Sequence, residues 1–208
     1  MRLLVIDTAT QALSVALLDD GVPVGRFHEI VGRGHAEALL PAIASLPDGG
    51  RADAIAVDVG PGSFTGVRIG VAAARGLALA WAIPVSGYSA PAIIAAAAAR
   101  NHGEGPIAVT ITGGHGELFW QCFTADGRVA TTPIASTPIP LLALQLDVPL
   151  LYGTGAEAFV TARGHGSAIS LYPDAADYPW IADLDTLPAT PIYGRGADAR
   201  PLRPQAQP

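Results

Sequence analysis

Four stretches of this 208-residue chain carry residue types that could do chemistry. Asp7-Thr8-Ala9-Thr10 offers a carboxylate and two hydroxyls of the kind found in phosphate-binding hairpins. It lacks the glycine that lets backbone N–H groups close on phosphate. Gly113-Gly114-His115-Gly116 and Gly153-Thr154-Gly155 are glycine turns able to approach a nucleotide closely. Gly60-Pro61-Gly62-Ser63 breaks a buried strand ahead of a long helix. A P-loop at that break needs Lys followed by Ser or Thr. Val67-Arg68 stands in their place, and all twelve basic residues are arginine. With no lysine, Schiff-base chemistry is excluded as well. Ser63, His35 and Asp58 are the residue types of a hydrolase triad, but no Gly-x-Ser-x-Gly elbow presents the serine. His35 is followed four residues on by Leu39, so the one-faced histidine pair that grips a metal on a helix is missing. His28, His102, His115 and His165 show no ligand spacing.

The elements that must position these residues read clearly in the first half. Leu3–Asp7, Ala12–Leu18 and Val22–Ile30 alternate and turn as three antiparallel strands. A helix over 35–46 places Leu39, Leu40, Ile43 and Leu46 on one face, with Pro41 either kinking it or sitting within its first turn. Ala54–Val59 is a buried strand, and Ser63 or Thr65 caps the helix that runs to Trp81. Ile83–Ser86 is a further strand, and Ser89 or Ser86 caps a helix over 90–99. After Gly105-Pro106 the order restarts. Strands are expected at 107–112, 117–124 and 128–134, a helix at 137–146, a strand at 149–152 and a helix at 156–163. The βββαβα repeat predicts a duplicated lobe, each half a five-stranded mixed sheet flanked by helices, the halves covering 1–103 and 104–208. Beyond Tyr172 only a helical turn over 183–187 is legible.

Composition sets outer limits. A net charge of −6 argues against unaided nucleic-acid binding, because phosphate contacts carry most of that affinity. The single Cys122 excludes a disulfide framework. With no leader ahead of the first strand, it predicts a cytoplasmic protein. Arg68 and Arg75 interrupt the longest apolar run, so no membrane span is expected.

Ile6-Asp7-Thr8-Ala9-Thr10, His35-Ala-Glu-Ala-Leu-Leu-Pro, Gly60-Pro-Gly-Ser-Phe-Thr-Gly-Val-Arg-Ile-Gly and Ala74-Arg75-Gly76-Leu77-Ala78 together resemble the TsaB (YeaZ) family. In the second half only Gly116-Glu117-Leu118-Phe119, Gly153-Thr154-Gly155 and the run from Tyr193 to Arg200 are similar to it. Gly113-Gly114-His115 departs from the Asp-Ala-Arg of many relatives. The resemblance implies an α/β fold of two actin-like (ASKHA, ribonuclease-H-like) lobes, the tail returning to the first. It implies a non-catalytic subunit of the tRNA threonylcarbamoyladenosine machinery that binds and activates a TsaD-like transferase, alongside a TsaE-like ATPase subunit. On that reading there is no intrinsic cofactor or metal; ATP is used by the complex, tRNA is met indirectly, and a homodimer can form. The competing class is an actin-like ATPase or small-molecule kinase acting alone, with Asp7, Thr8, Thr10, Gly113, Gly114, Gly153 and Gly155 as its nucleotide cleft.

The helix after Gly62 is apolar nearly all round, so it must be buried on more than one side. Small residues recur along it at helical spacing, which lets another backbone approach. Gly66, Val67, Gly70, Ala73, Ala74 and Leu77, with Leu39 and Ile43 on the preceding helix, are therefore the expected partner interface.

Overall fold

The computed structural model describes residues 1–102, 105–184 and 186–193. The first lobe is built from β1 (Arg2–Asp7), β2 (Ala12–Asp19), β3 (Val22–Ile30), α1 (His35–Ala44), β4 (Ala54–Asp58), α2 (Phe64–Trp81), β5 (Val85–Tyr88) and α3 (Ala90–His102). The second contains β6 (Ile107–Thr112), β7 (Glu117–Phe123), β8 (Ala135–Pro138), α4 (Ile139–Gln145), β9 (Leu150–Tyr152), α5 (Ala156–Arg163) and β10 (Ser167–Ile169), followed by a 3₁₀ segment at Ala175–Trp180.

Each lobe holds one five-stranded mixed sheet. The orders β3-β2-β1-β4-β5 and β8-β7-β6-β9-β10 are the same path traced twice. In both, an antiparallel meander of three strands is extended by parallel strands reached through helices. The central strands β1 and β2 are almost continuously apolar because helices or the 3₁₀ segment cover both their faces. At the edge, β3 alternates poorly, and Pro23 and Arg26 on it discourage pairing with another chain.

The lobes exchange covering elements. Helix α3, from the first, packs on β6, β7 and β9 of the second sheet, while the 3₁₀ segment packs on β1, β2 and β3 of the first. One core consequently runs from Leu4 and Leu17 through Ile93 and Ile94 to Phe119 and Phe123. A smaller core around Leu142, Leu151 and Phe159 lies beneath α4 and α5.

Several boundaries move for identifiable reasons. The strand expected at 128–134 is a turn and an irregular return. Thr131 N bonds Cys122 O at 2.8 Å and Cys122 N bonds the Thr132 hydroxyl at 2.9 Å, while Pro133 has no N–H to give. Regular pairing with β7 resumes only at Ala135–Pro138. β5 begins at Val85 because Ile83 N closes the end of α2 on Ala78 O. Helix α1 stops at Ala44 and leaves Leu40 exposed, so Leu39, Ala42 and Ile43 form its buried face. Ser89 precedes α3, yet its hydroxyl is buried without a hydrogen-bond partner and caps nothing. β10 and the 3₁₀ segment had no sequence expectation. The helical turn expected over 183–187 does not reach Leu187, which instead makes an antiparallel bridge with Gly87; Asp185, Gly103 and Glu104 at the lobe boundary, and the part of the motif beyond Tyr193 lie outside the described residues.

Asp174 docks the 3₁₀ segment on the first sheet. Its carboxylate accepts from Ser14 Oγ at 3.2 Å, from Ala176 N at 3.0 Å as a cap, and from the Arg26 guanidinium. Asp174→Ala should therefore lower unfolding free energy by about 2–4 kcal/mol, from a lost cap and lost charge-assisted bonds. Urea denaturation would measure it. A change below roughly 0.5 kcal/mol, the usual surface value, would show that the docking rests on apolar contacts alone.

Candidate functional site

The glycine turn and the β1–β2 turn are locked together. Ser63 N bonds Ala9 O at 2.7 Å, Thr8 Oγ1 bonds Gly66 O at 2.7 Å, and Ser63 Oγ caps α2 by accepting from Gly66 N at 3.2 Å. A β-carbon at Gly62 would lie 2.1 Å from Ala9 O, at Gly66 2.1 Å from Thr8 O, and at Gly70 2.4 Å from Thr8 Oγ1. The small residues at 62, 66 and 70 thus serve a close approach within the chain.

This revises the expected interface. Leu39, Ile43, Gly66, Val67, Gly70 and Ala74 are buried in the chain's own core, and Ala73 and Leu77 are half-buried. The side of α2 that faces outward instead carries Thr65, Ala72, Gly76, Leu79 and Ala80, with Leu79 83% exposed. On α1, Leu40 is 55% exposed. Gly76 has open space where a β-carbon would stand. The sequence pattern located the helices; the direction of each small residue needed the position of the β1–β2 turn.

Asp7, Asp58 and Tyr88 end the adjacent parallel strands β1, β4 and β5, the end of such a sheet where ligands usually bind. Here all three are sealed in. Tyr88 Oη lies 3.1 Å from Asp7 Oδ2 and 3.2 Å from Ile6 O, so its single proton is shared between them, and Tyr178 of the 3₁₀ segment packs on the Tyr88 ring, centroids 5.3 Å apart. Asp7 Oδ1 accepts from Ala9 N, and Asp58 Oδ1 from Gly60 N at 2.7 Å. Asp58 Oδ2 has no donor unless one of the two carboxyls is protonated, when it bonds the other. Burial, above all, pushes Asp7 up to about 6. Burial and then the Asp7 charge push Asp58 well above the carboxylate range. Burial and the same two carboxyls hold the Tyr88 phenol well above its usual value. Sequence reading had Asp7 but gave Asp58 only a triad role and passed over Tyr88. Their shared signal was the position each occupies as the last residue of a strand.

A cavity of about 940 Å³ opens between the lobes, with Thr10, Arg33, Phe64, Gly113, Gly114 and Thr154 among its walls. Of the nucleotide-cleft residues, Thr10, Gly113 and Gly114 face it. Asp7 and Thr8 lie behind it, and Gly153 and Gly155 back onto Thr110 and Leu118. The triad types are not assembled, since Ser63 caps α2, Asp58 bonds Gly60, and His35 is buried with Nε2 3.1 Å from Ala12 O. Among the described residues, no three His, Cys, Asp or Glu side chains gather as a metal site, and no helix is long and apolar enough to cross a membrane.

The acid pair makes stability pH-dependent. Because both carboxyls are raised, the folded chain keeps protons that the unfolded chain releases. Asp7's contribution is complete below the ordinary value of 3.8 and is lost as pH rises through about 6, and Asp58's, raised further, is lost at higher pH. Asp58→Asn imitates the protonated form and can donate to Asp7. The drop in stability between pH 5 and pH 8 should be smaller than in the parent. Denaturant titrations at the two pH values would reveal it; an unaltered pH slope would mean the pair does not share a proton.

Residues 25–136 match the family of TsaD, tRNA N6-adenosine threonylcarbamoyltransferase. The chain is 37% identical to the tRNA threonylcarbamoyladenosine biosynthesis protein TsaB of Haemophilus influenzae, over 94% of each. It is 40% identical to TsaB of Escherichia coli over a shorter stretch, 61% of this chain and 56% of that relative. The crystal structure of YeaZ from Pseudomonas aeruginosa superposes with a TM-score of 0.78 at 32% identity, covering 92% of this chain and 99% of that one. A relationship that spans nearly the whole length, together with the same two-sheet architecture, establishes that the chain belongs to the TsaB (YeaZ) family of tRNA threonylcarbamoyladenosine biosynthesis proteins.

Proposed function

We propose that this chain is a non-catalytic subunit of the threonylcarbamoyladenosine machinery, binding a TsaD-type transferase and activating it for the adenosine beside the anticodon. The observation that carries the reading is the outward ridge of α2, where Ala72, Gly76 and Ala80 are exposed between Leu79 and Thr65. Exposed small residues on an apolar helix admit a second helix at close range. The stretch that matches the TsaD family, 25–136, contains both α1 and α2. Two chains with the same helix pair can meet about a pseudo-two-fold axis, and the same surface then serves a homodimer. The chemistry belongs to the partner. Asp7 is buried against Tyr88 and Asp58, and the α1 histidine is spent on a backbone carbonyl. A chain of net charge −6 leaves the grip on tRNA to another subunit, and ATP to the complex and its TsaE-like ATPase.

Gly76→Leu tests the ridge. A β-carbon at Gly76 has no neighbour within 4 Å among the described residues and the substitution replaces glycine on the exposed side of a helix, so the monomer should gain roughly 0.5–1 kcal/mol. Complex formation with the TsaD-type subunit, followed by sedimentation, and partner-dependent tRNA modification should both be lost. Gly70→Leu, in contrast, should fail to fold, because its side chain enters the Thr8 hydroxyl. A folded Gly76→Leu chain that still supports full modification would remove the ridge from the interface.

A further inference from the structure

The segment 187–193 runs along the first lobe like a strap. Leu187 and Gly87 exchange both backbone hydrogen bonds, at 2.6 and 2.9 Å, which extends the sheet beyond β5. Ile192 N bonds Val59 O at 2.7 Å. Two side-chain bonds then tie the strap to α2, Arg75 Nη2 to Thr190 Oγ1 at 3.0 Å and Arg68 Nε to Tyr193 Oη at 2.9 Å. The Arg68 guanidinium also lies 3.6 Å from the centre of the Phe64 ring, which packs against the Tyr193 ring.

At about 3.6 residues per turn, Phe64, Arg68 and Arg75 share one flank of α2. Ile69, Ala73 and Leu77 fall on the opposite flank, where they are half-buried, and α1 is the helix that packs against α2. The exposed ridge of Thr65, Ala72, Gly76, Leu79 and Ala80 is the floor between these flanks. A helix lying on that floor, its axis about 8–10 Å from that of α2, is wide enough to touch both walls. The strap-side wall is basic: α2 contains no acidic residue, and Arg68 and Arg75 are both exposed.

We infer that the strap is the second wall of the partner-docking trough, so that a TsaD-type subunit seated on α2 clamps the segment 187–193. This deepens, and rests on, the reading of α2 as the partner surface. The partner's docking helix is expected to be small and apolar along its seam, with acceptors facing Arg68 and Arg75. Leu187 and Ile192 also wall the apolar pocket beside Tyr88 and Ser89, and Ile192 and Tyr193 wall the interlobe cavity. Clamping the strap therefore also fixes those walls.

The test uses the full chain and the purified transferase subunit. Thr190→Ala combined with Tyr193→Phe removes both strap-to-α2 hydrogen bonds and leaves the floor intact. The double variant should bind the transferase roughly fivefold more weakly or worse, the scale of one or two ordinary hydrogen bonds. In the parent chain, amide exchange at Leu187 and Ile192 should slow on complex formation. If the parent binds and Gly76→Leu does not, while the double variant binds like the parent and exchange at 187–193 is unchanged, the strap inference is wrong and the ridge reading stands. If the parent forms no complex, both fall. Should the double variant melt early, exchange in the parent complex decides alone.

Discussion

Everything in the first lobe depends on three missing side chains. The β1–β2 turn lies so close to the start of α2 that Gly62, Gly66 and Gly70 cannot carry a β-carbon without meeting Ala9 O, Thr8 O or Thr8 Oγ1. The approach is held by hydrogen bonds from Ser63 N and Thr8 Oγ1. It fixes the level of α2 on its sheet, and with it the glycine turn, the end of β4 and the place where the strap crosses. An alanine at any of the three would push the helix outward in a core packed too densely to give.

That constraint also explains why the carboxyl end of the first sheet is shut. With α2 drawn in over β1 and β4, Asp7 and Asp58 are both fully buried. Tyr88 and Tyr178 close the remaining side. Two like charges in such a place are costly, so the pair holds protons instead. The closure comes from the second lobe, since Tyr178 arrives on the 3₁₀ segment that Asp174 pins to Ser14 and Arg26. The acid pair is thus tied to how the lobes are docked as well as to local packing.

The strands and helices of the first lobe were legible because its pattern is strong: alternating strands, a glycine break, and a capping serine before a long apolar run. The duplication was legible from element order, and the repeated strand order bears it out. What failed was local. The return after Gly127 looked like a strand by composition, yet Pro133 and the threonine side-chain bonds hold it irregular until Ala135. The site was legible as a list of residues and not as an arrangement. Helical spacing identifies which residues of α2 share a face but cannot say which face meets the sheet, so residues of the inner face were assigned outward. The swap of α3 and the 3₁₀ segment between lobes is a tertiary fact with no periodic signal at all.

Gly70 and Gly76 fall on opposite sides of that inner and outer division. They are the same residue type on one helix, six positions apart, and they answer to opposite needs. One admits the chain's own threonine and the other faces open space. Glycine inside a helix costs roughly 0.5–1 kcal/mol against alanine. At Gly70 the close packing of the turn offsets that cost. Among the described residues nothing offsets it at Gly76, where a β-carbon has open space and alanine would favour the helix. The helix also cannot roll or slide, because its inner face is pinned at three glycines and its flank is tied to Thr190 and Tyr193. A rigid outer ridge lined largely by small residues loses little conformational freedom when another helix docks on it. On the proposed reading, a subunit that acts on its partner by position would need a surface of this kind and no reactive group of its own.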